Sequence, residues 1–70
     1  MMSDEVLHKV ISRLKAEECV PYTYIAHISN IDIGTLYFYR RCRHYPVNQR
    51  IQIENAIREK FGGLIDELAK

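Results

Sequence analysis

The run from Tyr22 to Tyr39 does most to limit what this chain can fold into, because two short apolar stretches meet there across Ser29-Asn30-Ile31-Asp32. Asn30 tolerates the left-handed backbone that a tight corner needs. Asp32 can accept from the free amides that open a following helix. Ile25 and Ala26 fall on the helix before the corner, and Leu36 and Tyr39 share one face of the helix after it, at i and i+3. The unit reads as a helix-turn-helix. If Leu36 and Tyr39 pack inward, then Ile33, Gly34, Thr35, Tyr37 and Phe38 point outward, toward a partner.

The flanks are helical too. Val6, Leu7, Val10, Ile11 and Leu14 recur at three- and four-residue steps, which predicts a first helix from Ser3 to Glu18 with one buried stripe. Ser3 is placed to cap it, and Asp4 and Glu5 lie in the first turn, where the helix dipole favours negative charge. Pro21 suits the first position of a second helix running to about Ser29. Its buried face is expected to be Tyr24, Ile25 and Ile28. A third helix from about Ile33 to Arg41 carries Gly34, Thr35 and three aromatics, all poor helix formers, so packing must hold it. His44-Tyr45-Pro46 forces a bend within a loop from Cys42 to Val47, since the residue before proline is pushed out of the helical region. Asn48 is the expected cap of a fourth helix, with Ile51, Ile53, Ala56, Ile57 and Phe61 at its apolar positions. Gly62-Gly63 should stop that helix, and Leu64 to Leu68 supplies a short fifth one.

Strands compete for the Tyr- and Ile-rich stretches on either side of the corner. Neither stretch alternates cleanly, and the corner signals and helical flanks agree with one another, so the expected fold is all-α, a single domain over residues 1–70. No apolar run reaches the length of about 18 residues that a membrane span requires. The acidic start, Met1 to Glu5, is unlike a secretory signal, which places the chain in the cytoplasm. Cys19 and Cys42 are too few and too far apart for a disulfide framework, and Cys42-x-His44 lacks the paired spacing of structural zinc sites. No metal, cofactor or enzymatic activity is expected, since no nucleophile elbow, Gly-rich phosphate loop or tuned carboxylate pair is evident.

With Ala26 at a close helix crossing and Asn30 at the corner, the stretch resembles the DNA-binding unit of the lambda-repressor-like family of Cro and phage repressors. The likeness extends from about Val6 to Leu68. It includes Arg40-Arg41 after the third helix, Tyr45-Pro46 before the fourth, and Phe61 to Leu68 as the family's closing turn and short fifth helix. The chain departs from the family at Ser29, where an apolar residue is usual, at Tyr22, where a phosphate-binding Gln is common, and at Ile33-Gly34, where polar base-reading residues are expected. The resemblance implies a small transcriptional regulator that binds double-stranded DNA in the cytoplasm as a homodimer, with its third helix in the major groove. Ile33, Gly34, Thr35, Tyr37 and Phe38 would then read bases, and Thr23, Arg40, Arg41 and Arg43 would hold phosphates.

Charge placement agrees with that implication. The net charge is only +1, but no acidic residue lies between Ile33 and Ile53, while Arg40, Arg41, Arg43 and Arg50 do, with His44 among them. Arginines also populate solvated helix ends for the sake of the dipole, which is the plainer account of the run. Tyr37 and Phe38 point two ways. An apolar ring can touch a thymine methyl group, and large exposed apolar side chains also mark surfaces that proteins bury. The alternative function is therefore a phage- or mobile-element-encoded inhibitor or antirepressor that presents the same helix to a protein partner.

Overall fold

The computed structural model describes residues 1–70 and contains helices without a strand. In chain order these are α1 (Asp4–Glu18), α2 (Tyr22–Ile28), α3 (Ile33–Cys42) and α4 (Val47–Phe61), then a 3-10 turn (Gly62–Leu64) and α5 (Ile65–Leu68). The expected fifth helix is thus a single turn. Gly62 and Gly63 do stop α4, which ends at Phe61, and the chain tightens there into the 3-10 turn, with Gly62 itself in right-handed helical backbone (φ −52°, ψ −37°).

Helix starts differ from expectation in one consistent way. Ser3 does cap α1, its side chain accepting from the Val6 N–H, and Asp32 caps α3 through the Gly34 N–H. Pro21 and Pro46, by contrast, occupy the cap positions of α2 and α4, with ψ of 152° and 148° and no side-chain bond. The expected cap Asn48 lies inside the first turn of α4, and Pro21 lies one residue before α2 begins. The reason is local. A proline carbonyl serves as the first intrahelical acceptor, as in the Arg50 N–H to Pro46 O bond of 2.7 Å, while its fixed φ suits the extended approach. Three helix ends close through left-handed residues, Cys19 (φ 57°), Asn30 (φ 57°) and Arg43 (φ 52°), none of them glycine.

The core is where the periodicity put it on α1, with Leu7, Val10, Ile11 and Leu14 fully buried. Ile25 and Ala26 of α2, Leu36 of α3, Ile53 and Ile57 of α4, and Ile65 and Leu68 of α5 complete most of it. Two assignments fail. Tyr24, expected inward on α2, is 39% exposed and meets the Phe61 ring edge-on, and Ile51, counted among the apolar positions of α4, is 40% exposed. Tyr45 lies in the loop as expected, yet it is fully buried and packs edge-to-face on half-buried Tyr39 at 6.0 Å between ring centroids.

The corner between α2 and α3 is braced from both sides. The Ile31 N–H bonds the Ala26 carbonyl at 3.0 Å, and Gln52 of α4 donates its side-chain amide to the Ser29 carbonyl. Ala26 is 2% exposed, so a larger side chain there has no free volume to enter. Ser29 is 1% exposed and its Oγ has no partner, a buried hydroxyl that contributes no bond. In chemical denaturation, Ala26→Leu should lower stability by about 1–3 kcal/mol through overpacking. Ser29→Ala should hold or raise stability, by up to about 1 kcal/mol, because it removes an unsatisfied polar atom. A clear loss in the alanine variant would mean that the hydroxyl is paired in solution.

Candidate functional site

The outward strip of α3 begins at its cap. Asp32 Oδ2 accepts the Gly34 N–H at 2.8 Å, and a Cβ on Gly34 would come within 2.9 Å of that same oxygen. A side chain at position 34 would therefore press on the carboxylate and require it to shift. Of the five residues expected to face a partner, Gly34, Tyr37 (48% exposed) and Phe38 (55% exposed) do face outward. Ile33 and Thr35 are half-buried, and Ile33 packs against the core, because one turn of helix brings it beside the direction of Leu36. Gly34, Tyr37, Phe38 and exposed Arg41 are spaced at i, i+3, i+4 and i+7, which makes a single face. Tyr37 is braced by the Tyr22 ring, T-shaped at 6.1 Å.

The basic run divides in two. Arg40 turns inward: its Nη2 donates to Ser12 Oγ at 2.9 Å and to the Tyr22 hydroxyl at 3.0 Å, and its guanidinium lies over the Tyr22 ring at 4.3 Å. Its Nη1 is buried without a partner. Arg50 is also held, at 17% side-chain exposure and 3.5 Å from Asp4 Oδ1. Arg41 and Arg43 remain exposed and make no hydrogen bond or ion pair through their side chains, and Thr23 is exposed on the first turn of α2. His44 is exposed with its Nδ1 3.1 Å from Asp4 Oδ2.

Asp4 anchors the corner that carries Arg43. Its Oδ1 accepts the Tyr45 N–H at 2.9 Å, and that bond, with help from His44 and Arg50, holds its carboxyl below the ordinary value of 3.8. Behind it the buried Tyr45 hydroxyl, pushed up by burial, lies 3.1 Å from His8 Nδ1. His8 is held below its ordinary 6.5 by burial and by the fields of Arg40 and Arg43. An open depression of about 590 Å³ lies alongside, lined by Glu5, His8, Lys9 and Arg43. Cys19 and Cys42 are exposed free thiols. No helix is long and apolar enough to cross a membrane.

The residues that sequence reasoning missed are Ser12, Tyr22, His8 and Tyr45, which form the polar layer under α3 and its following corner. A partial signal existed in the spacing of His8 and Ser12, four residues apart on α1 and so on one face. The fold and the strip define a small all-helical domain with one aromatic face that ends in free Arg41, while free Arg43 lines the depression beside α1. No family model, curated protein or solved structure matches the chain.

Arg40→Ala should lower stability by about 1–3 kcal/mol in urea titration, since the charge-assisted bonds to Ser12 and Tyr22 and the cation–π contact with the Tyr22 ring disappear together. Arg41→Ala should stay within about 0.5 kcal/mol of the parent, as an exposed residue without partners does. Acid should act on His8 and Asp4, alongside Glu17 and Glu54, whose carboxyls the fold also holds low. His8 favours its neutral form in the fold, so its contribution is complete above 6.5 and declines as the pH falls below that value. The depressed Asp4 contributes fully above 3.8 and loses its contribution as the pH falls through its folded value. Denaturant melts should therefore show Asp4→Asn less stable than the parent at pH 7, with the gap closing below pH 3.8. A gap independent of pH would mean that the Asp4 charge is not what holds the corner.

Proposed function

We propose that this chain binds double-stranded DNA as a small regulator of the lambda-repressor-like kind, with α2 and α3 as its helix-turn-helix and α3 lying in the major groove. One observation carries the reading: the exposed strip of α3 ends in exposed Arg41, with exposed Arg43 two residues on at the corner, on a helix whose start is fixed by Asp32 and whose middle is fixed by buried Leu36. Ten residues give α3 a length of about 15 Å, enough to lie along a groove about 12 Å wide. The left-handed Asn30 and the buried Ala26 at the corner support the motif.

In this reading Gly34, Tyr37 and Phe38 approach the bases, with Ile33 and Thr35 behind them. Thr23, Arg41 and Arg43 hold phosphates and set the register. Arg40 leaves the phosphate set, because its bonds to Ser12 and Tyr22 would have to break before it could reach DNA. Two free arginines give one protomer little electrostatic grip, so a homodimer on a two-fold site belongs to the proposal. A second reading, with a protein as partner, draws on the exposure of Tyr37 and Phe38 and on the net charge of +1.

Fluorescence anisotropy on a labelled random duplex over a salt series separates the two. The regulator should bind at low salt and weaken steeply as salt rises, and Arg41→Ala with Arg43→Ala should flatten the log–log slope by roughly two units per protomer, one for each phosphate that is no longer neutralised. Arg40→Ala, assayed where it is folded, should leave that slope unchanged. If the parent shows no binding at the lowest salt, the protein-binding reading replaces the regulator.

A further inference from the structure

The outward face of α3 is unusual for a reading helix in the hydrogen-bonding groups it lacks. Residues 33 to 39 contain no amide, carboxylate or cationic side chain. The structure also disposes of the two nearest candidates outside that window. The Asp32 carboxylate is turned back onto the Gly34 N–H, and the Arg40 guanidinium is turned inward onto Ser12 and Tyr22. In the major groove, guanine is read by Arg or Lys, adenine by Asn or Gln, and the cytosine amino group by a carboxylate. The first turns of a reading helix are the part that meets base edges. None of those three pairings is available there. What projects instead is the Phe38 ring, 55% exposed, one turn beyond Gly34.

We infer that the reading surface recognises the 5-methyl group of a pyrimidine in the major groove, with Phe38 as the residue that determines specificity. The inference rests on the duplex-binding reading above and adds to it the chemical feature that is read. Tyr37 is held edge-on against Tyr22, which directs its ring toward the α2 side of the strip and leaves Phe38 as the freer apolar surface. The Phe38 ring packs only obliquely on Tyr39, at 6.4 Å between centroids, so a methyl group can be covered while the core stays as it is. A phenyl ring offers no donor or acceptor to the 4-substituent of the base. It therefore distinguishes thymine from uracil, and 5-methylcytosine from cytosine, by the methyl alone.

The test uses a duplex enriched by the parent protein from a random pool. In one arm each thymine is replaced in turn by deoxyuridine, and in the other each cytosine by 5-methylcytosine. Burying one methyl is expected to change affinity about fourfold, so deoxyuridine should weaken binding by that factor at a few positions. Phe38→Ala and Phe38→Leu should bind the thymine duplex more weakly, and Phe38→Ala should abolish the difference between thymine and uracil at those positions. An effect in the first arm without a gain in the second assigns the methyl to thymine, while effects in both show the methyl read in either base. Uracil bound as well as thymine throughout, or a uracil penalty that persists unchanged in Phe38→Ala, overturns the inference and leaves duplex binding standing. A pool that yields no enriched duplex removes both.

Discussion

The guanidinium of Arg40 ties three helices together from one point on α3. It donates to Ser12 on α1 and to Tyr22 on α2 while sitting over the Tyr22 ring, and Lys15 of α1 sits 5.4 Å from the centre of that ring. A domain of 70 residues has little apolar area with which to fix helix orientation, so a planar fork with directional donors has more influence than it would in a larger core. Its consequence reaches the surface. Once this cation is committed inward, the face of α3 that remains outside is Gly34, Tyr37, Phe38 and Arg41, more aromatic than charged.

A second tether acts just beyond the same end of α3. Asp4, in the first turn of α1, accepts the backbone N–H of Tyr45 and draws His44 and Arg50 toward itself, so an N-terminal carboxylate fixes the corner that follows α3. Helix dipole and ion pairing act together here, since a negative charge in the first turn of α1 is favoured before any partner arrives. The corner passes through Arg43 in left-handed backbone, where glycine would cost less. Holding an arginine at that position keeps a free cation beside His8 and Lys9 at the corner that follows α3. Cys19 occupies the same kind of position at the end of α1, so the chain accepts this cost more than once.

These two tethers shape the proposed chemistry of binding. A surface with two free arginines and two exposed rings gains less from counterion release than a strongly basic domain does, and correspondingly more from apolar packing at base edges. The same balance is why a protein partner is the competing reading. Exposed aromatics suit either, and the dependence on salt distinguishes them.

Sequence by itself determined the helical content, the stripe on α1, the caps at Ser3 and Asp32, and the left-handed Asn30, because each depends on residues within one or two turns of one another. Periodicity also found Leu36, Ile53 and Ile57 for the same reason. It could not find the burial of Tyr45, whose environment is built by Asp4, His8 and Tyr39, two of them roughly forty residues away along the chain. Nor could it sort the arginines. Arg40 and Arg41 are adjacent and chemically identical, yet one helix step of about 100° sends the first toward Ser12 and Tyr22 and the second into solvent. Which of the two serves the fold and which is left for a partner depends on what α1 and α2 place beneath α3, and only the tertiary packing decides that.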